Sequence, residues 1–273
     1  MSRPRLRFKW HRLKRRRSDP PFLRANLVAG LAARAPLEVD LRATSDGHWV
    51  CLHDATLERE TSGAGPVAER SRAELERLRQ RGEDGALLAE PPLFLDELAA
   101  AVRRASAPPP GLVQLDVKEP LERLDGRLLE RFESALEGLA PAFTAGGCEA
   151  RLIDALAAAA PGIARGFDPL LAYEEAGLPA DAAGFRALGE AAFAAMPDAA
   201  IFYLEARLVL AAARAGVGLP ALVGRRGALV DAWTIDADRP GLLALLEELA
   251  GLGCGQVTSN DPLALQALWE GGP

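Results

Sequence analysis

The chain has 273 residues, 49% of them apolar and 26% charged, which describes a folded protein with ample core and excludes an intrinsically disordered one. Its net charge of −6 is uneven: residues 1–17 hold nine Lys or Arg and no acid, so the rest carries −15 and is not a nucleic-acid binder by charge. Three scattered cysteines, Cys51, Cys148 and Cys254, form no disulfide framework and are expected as buried thiols; with no run of ~20 apolar residues and no signal-like apolar region, the expected compartment is the cytoplasm.

Arg5 to Arg12 reads as a short first strand ending in His11-Arg12. The cationic run Lys14 to Arg17 follows, read as a solvated loop or tail, as a rim that attracts a phosphate-bearing substrate, or as an arm for a membrane surface or nucleic acid. After Asp19-Pro20-Pro21, Leu23 to Arg34 is an Ala/Leu helix. From Leu37 to Asp54 the pattern changes to period two, with Leu37, Val39 and Leu41 alternating with Glu38 and Asp40. Residues two apart on a strand share a face, so the two carboxylates project side by side. Such a pair is tolerated when a cation lies between them or one is protonated. Asp46-Gly47 is a two-residue hairpin signal. With those two residues as the loop, Asp40 lies directly opposite His53, and Glu38, Asp40 and His53 converge on one patch.

Residues 54–104 read as a small insertion with a flexible loop at Thr61 to Gly65, a helix from the Ser71–Glu74 capping box to about Arg81, and a helix over Asp96 to Arg104. Beyond Gly111, strands at Leu112–Lys118, Ala142–Cys148, Ile163–Phe167, Ala200–Glu205, Ala228–Ile235 and Gly255–Ser259 alternate with helices that include Leu121–Leu139, Ala150–Ala159, Arg207–Ala215 and Pro240–Leu252. Eight strand–helix units predict one α/β domain over 1–273, a (β/α)8 TIM barrel, with a doubly wound sheet as the alternative. In such a barrel the functional side chains sit at the C-terminal strand ends. Here those ends carry His11-Arg12, Glu38 with Asp40, Asp116 with Lys118, Trp233 to Asp236, and Ser259 to Pro262.

In order along the chain, His11-Arg12-Leu13, Glu38-Val39-Asp40, Thr44-Ser45-Asp46-Gly47 through His53-Asp54, Arg59-Glu60-Thr61 with Gly63, Asp116-Val117-Lys118, Trp233-Thr234-Ile235-Asp236 and Ser259-Asn260-Asp261-Pro262 resemble the motifs of the glycerophosphodiester phosphodiesterase family. The resemblance implies that Glu38, Asp40 and Asp116 hold a divalent cation and that His11 and His53 are the catalytic pair. It also implies that Arg12 and Lys118 contact phosphate and that Trp233 lines the alcohol end of the pocket. An all-carboxylate set favours Mg²⁺ or Ca²⁺. His48 follows the turn and is given no role. The chain departs from the family pattern at Leu13 (Gly in the family), at Ala25-Asn26-Leu27, where an acid is lost, at Asp116 (Glu) and at Asn260 (Asp). The implied function is hydrolysis of glycerophosphodiesters, or of a related headgroup diester, to an alcohol and a phosphomonoester. The alternative is a weakened barrel that binds phosphate-containing ligands without turnover. The partners expected are a small-molecule diester and, through the basic start, an anionic membrane surface.

Overall fold

A computed structural model describes residues 3–105 and 107–271. Its strands are β1 (Arg7–Trp10), β2 (Leu37–Ala43), β3 (Trp49–Cys51), β4 (Val113–Val117), β5 (Phe143–Gly147), β6 (Ala164–Phe167), β7 (Ile201–Glu205), β8 (Leu229–Trp233) and β9 (Gln256–Ser259). All but β3 run parallel in the ring order β1-β2-β4-β5-β6-β7-β8-β9, and β9 pairs back onto β1 through Arg7↔Gln256 to Trp10↔Ser259. β3 hangs antiparallel on β2. The molecule is a closed (β/α)8 barrel, and the doubly wound alternative is set aside by the β1–β9 closure.

The helices are α1 (Arg24–Ala33), α2 (Arg72–Leu75), α3 (Leu95–Arg104), α4 (Gly126–Leu136), α5 (Ala150–Ala159), α6 (Ala182–Ala195), α7 (Ala206–Arg214), α8 (Leu219–Val223), α9 (Leu242–Gly251) and α10 (Pro262–Glu270). Strand alternation decides which side chains meet them. Leu37, Val39 and Leu41 are fully buried, and Leu37 lies against Gly30 of α1, where a Cβ would sit 2.5 Å from its Cδ2. The other face of β2 turns Glu38 and Asp40 into the barrel.

The barrel interior is polar. Lys9 Nζ lies 2.8 Å from Asp231 Oδ2, both side chains being almost wholly buried. Asp231 also accepts hydrogen bonds from Gln256 Nε2 (2.6 Å) and Thr258 Oγ1 (2.8 Å). Lys9 donates to Gln114 and lies 4.3 Å from the centre of the Tyr203 ring.

Four expectations change. The hairpin register is one residue away from the expected one: Leu41 pairs with Cys51, Arg42 with Val50 and Ala43 with Trp49. The loop is three residues long, not two. Gly47 N–H donates to Thr44 O, Gly47 takes φ +82°, and His48 N–H donates to Thr44 Oγ1. This is a turn followed by a left-handed glycine, which adds one residue to one arm. Asp40 is therefore not opposite His53, which lies beyond the end of β3. The first strand stops at Trp10, because Arg12 (φ 52°) and Leu13 (φ 59°) are left-handed and His11–Leu13 form a 3-10 turn. The capping box at Ser71 forms as expected, but α2 ends at Leu75, since Gln80 and Arg81 are drawn into bridges with Thr61 and Leu87. The helix expected over Leu121–Leu139 is interrupted, with α4 starting afresh at the Asp125 N-cap.

Candidate active site

Parallel pairing assembles the acids. β2 and β4 are in register with Glu38 beside Gln114 and Asp40 beside Asp116. Paired residues on adjacent strands point the same way, so Asp116 arrives next to Asp40, with Glu38 two residues back on the same face. One oxygen from each of Glu38, Asp40 and Asp116 lies within 4.8 Å of the others. Glu38 Oε1 is buried without a hydrogen-bond partner, and Asp40 Oδ2 meets only the Arg12 guanidinium, as an ion pair. Orphaned carboxylate oxygens in a buried cluster carry a large desolvation cost unless a cation or proton meets them. Burial first, and then repulsion from Asp40 and Asp116, push Glu38 up to a pKa of about 8. Burial opposes charge on Asp40 as well, but Lys118 and Arg12 outweigh it and its pKa is lowered. Lys118 Nζ sits 3.1 Å from Asp40 Oδ1 and 2.6 Å from Asp116 Oδ2. The donor set is all oxygen, clustered and undercompensated, and it fits a hard divalent cation such as Mg²⁺ or Ca²⁺.

Arg12 uses its left-handed backbone to donate N–H to Glu38 Oε2 at 2.7 Å, and its Nε lies 3.1 Å from Asp40 Oδ2. Leu13 follows in the same left-handed region, fully buried. The positive φ that the family's glycine would supply is thus adopted here by leucine.

The two histidines are held differently. His11 Nδ1 is 2.9 Å from Asn260 Oδ1, and Asn260 Nδ2 donates to Asp236 Oδ1 at 3.0 Å. The carboxylate of Asp236 sets the amide orientation, so Asn260 presents oxygen to His11 and Nδ1 carries the proton. Nε2 is then the free lone pair, 4.0 Å from Glu38 Oε2. Burial, and then Arg12, lower His11 to a pKa of about 4. His53 Nδ1 is 2.8 Å from Asp54 Oδ1. Hydrogen bonds from Arg59, above all, hold the Asp54 carboxyl far below the usual carboxylate range. The backbone N–H groups of His53 and Asp54 both donate to buried Glu60 Oε2, at 2.9 and 2.8 Å. Arg42 donates to His53 O (2.9 Å) and to Lys118 O (2.6 Å). His53 thus reaches the site through a clamped loop, not through strand pairing.

His11, Arg12, Glu38, His53, Asp116, Lys118 and Trp233 all line one cleft of about 260 Å³ at the C-terminal mouth of the barrel, and Asp40 lies buried beneath it. Trp233 faces the cleft with its Nε1 buried and unpartnered. All eight residues expected at the site therefore converge. The supports were not foreseen: Glu60, Arg42 and Asp54 around His53, and Lys9, Tyr203 and Asp168 on the cleft wall. Glu60 stands inside the quoted Arg59-Glu60-Thr61 motif, whereas Asp168 has no local sequence signal. His48 lies elsewhere, in a groove with Arg72 and Arg131. In the basic run, Lys14 is buried against Glu83 and Arg17 pairs with Asp238, so two of its four cations are already engaged.

Residues 31–114 match the model of the glycerophosphoryl diester phosphodiesterase family. Over that segment the chain is similar to the glycerophosphoryl diester phosphodiesterase family. Two Mycobacterium tuberculosis proteins, each named Probable glycerophosphodiester phosphodiesterase 1, are 48% identical to it over 42 residues, a match that covers 15% of this chain and 15% of theirs. Among solved structures, an Oleispira antarctica phosphodiesterase in complex with the product sn-glycerol-3-phosphate superposes with a TM-score of 0.70 at 20% identity, over 97% of this chain and 96% of the other. A glycerophosphodiester phosphodiesterase from Thermotoga maritima superposes at 0.65 and 14% identity, over 97% and 99%. At these identities the structural likeness establishes the shared barrel.

Proposed function

We propose that the protein is a metal-dependent phosphodiester hydrolase, acting on glycerophosphodiesters or a related headgroup diester to yield an alcohol and a phosphomonoester. The observation that carries this reading is the meeting of three undercompensated carboxylates and two differently held imidazoles in one cleft. The family segment and the product bound by the Oleispira relative support the substrate class.

Glu38, Asp40 and Asp116 would hold the cation, Mg²⁺ or Ca²⁺. When bound, it supplies a Lewis acid that polarises a phosphoryl oxygen and offsets developing charge. The protein's own groups do the rest. Arg12 and Lys118 line the cleft and orient the phosphate, Arg12 with a planar donor fork and Lys118 as a point charge. The two imidazoles divide the proton transfers by their partners. His11 faces a neutral amide, is neutral at pH 7, and has Nε2 free to take a proton from the attacking hydroxyl or water. His53 donates Nδ1–H to an ionised carboxylate, and Asp54 would be the counter-ion of the doubly protonated ring that gives its Nε2 proton to the leaving alkoxide. Trp233 covers the organic end of the diester.

Single substitutions His11→Ala and His53→Ala test the assignment. Each is expected to lower kcat/KM by about 10²–10⁴-fold, the usual range for a general acid or base. An alcohol leaving group of low pKa should restore much of the His53→Ala rate and little of the His11→Ala rate. Full activity in either variant removes that histidine from the mechanism.

A further inference from the structure

A groove on the outside of the barrel carries basic groups that the chemistry above does not use. It has a volume of about 380 Å³, shares no lining residue with the catalytic cleft, and runs between the β2–β3 hairpin, the start of α3 and one face of α4. Its basic groups are His48 from the hairpin, Arg72 from α2, and Arg127 with Arg131, which are four apart and so neighbours on α4. Arg72 is already engaged, by Glu76 at 2.7 Å and by Asp96 at 2.8 Å. Arg127 and Arg131 have no ion-pair partner among the described residues, and Glu130, the remaining acid of the groove, pairs with neither.

The placement of these two arginines works against the helix that carries them. Arg127 lies in the first turn of α4, which holds no acid beyond its Asp125 N-cap, and the helix dipole disfavours a cation there. Like charges at i and i+4 add a repulsion. Arg127 is nonetheless held in position. Its stem lies across the hairpin loop, where a Cβ on Gly47 would come within 2.5 Å of its Cδ and 2.8 Å of its Cγ. His48 is half-buried beside them. Burial first, and then Arg131, lower its pKa; Arg72 adds to this, while Asp46 and Asp96 oppose it. Guanidinium groups offer planar donor forks that match phosphate oxygens, and a protonated imidazole adds a further donor. A dianion seated here would offset the repulsion between the two arginines and favour the proton on His48.

We propose that this groove is a second anion site, separate from the cleft, which takes a phosphate group on Arg127, Arg131 and His48. Inorganic phosphate and a phosphomonoester share that chemistry. The site stands independently of the hydrolase reading.

The test follows the His48 ring signals by NMR in the full-length protein at pH 7, as inorganic phosphate or glycerol 3-phosphate is added at an ionic strength held constant with chloride. The chain has three histidines, so His48→Gln assigns the signal. A saturable shift of His48 toward its protonated position is expected with phosphate and not with chloride alone. The half-saturating concentration should rise about tenfold or more when Arg127→Gln and Arg131→Gln are combined. Inorganic phosphate binding at least as tightly as glycerol 3-phosphate identifies the phosphate group alone as what is recognised; tighter binding of glycerol 3-phosphate identifies a phosphomonoester as the occupant. Phosphate that enters the cleft moves His11 or His53 instead and is read apart. Both arginines are exposed, and unchanged His11 and His53 signals verify that the double variant is folded; if it is not, Arg131→Gln alone serves the same comparison. A His48 shift that fails to saturate, that chloride reproduces, or that the arginine variant keeps at full strength overturns the proposal.

Discussion

Asn260 sets the protonation geometry of His11. A carboxylate in its place would favour the imidazolium, because a negative charge at hydrogen-bond distance stabilises the charged ring. The substitution Asn260→Asp should therefore raise the His11 pKa from about 4 and move the acid limb of the kcat/KM profile upward by about one unit. It would also place two acids side by side at Asp236, lowering stability. Parallel pH–rate profiles of wild type and variant check this, and superimposable acid limbs would contradict it. Leu13 poses the opposite question. Its φ of 59° costs about 1–2 kcal/mol for a non-glycine residue, yet its side chain is fully buried. Deleting a buried leucine side chain costs about 3–5 kcal/mol. The loss outweighs the relief, so Leu13→Gly should destabilise the protein by about 2 kcal/mol in urea unfolding, despite restoring the residue that the family pattern has there.

Among the elements, β2 and β4 make the site and β1 and β8 hold the barrel floor beneath it. The Lys9–Asp231 pair joins those last two inside the barrel, past the intervening β9. Lys9→Met would leave a buried carboxylate without its cation, at a cost of about 3–5 kcal/mol. Removing both charges by Lys9→Met with Asp231→Leu should cost less than Lys9→Met alone, measured as a double-mutant cycle. A double variant less stable than Lys9→Met would show that the pair is not the issue. Legibility followed local pattern. Strand alternation revealed β2 and the parallel core strands, and Ser71–Glu74 marked a true helix start. The sequence misled where one residue changed a turn, as at Gly47, and where left-handed backbone ended β1 at Trp10. Helix α6, unassigned in the sequence reading, buries Phe185, Gly189, Ala192 and Phe193 on one face, a stripe diluted by glycine and alanine. The convergence of His53 was foreseen from an incorrect register; what brings it in is Glu60 and Arg42, contacts that spacing alone does not reveal.

For the molecule as a whole, the proposed cation site would link cation binding, protonation and stability through the acid cluster. Glu38 titrates near 8 in the folded, cation-free protein and near the ordinary 4.5 when unfolded. Between those values the folded state holds the extra proton, so this group's contribution to stability is complete below pH 4.5 and is lost as pH rises through about 8. A cation bound at the cluster would take the place of that proton. The rise in Tm on adding Mg²⁺ or Ca²⁺ should therefore be larger at pH 8 than at pH 5.5, and calorimetry at pH 7 should detect proton release on binding. A larger Tm rise at pH 5.5 would contradict the assignment.

The most direct test follows a glycerophosphodiester by phosphorus NMR with purified protein, before chelation, after chelation, and after the divalent cation is returned. The account predicts a phosphomonoester signal that stops on chelation, returns with Mg²⁺ or Ca²⁺, and is absent throughout in Glu38→Gln. Turnover that persists in chelator, or survives in Glu38→Gln, would contradict it.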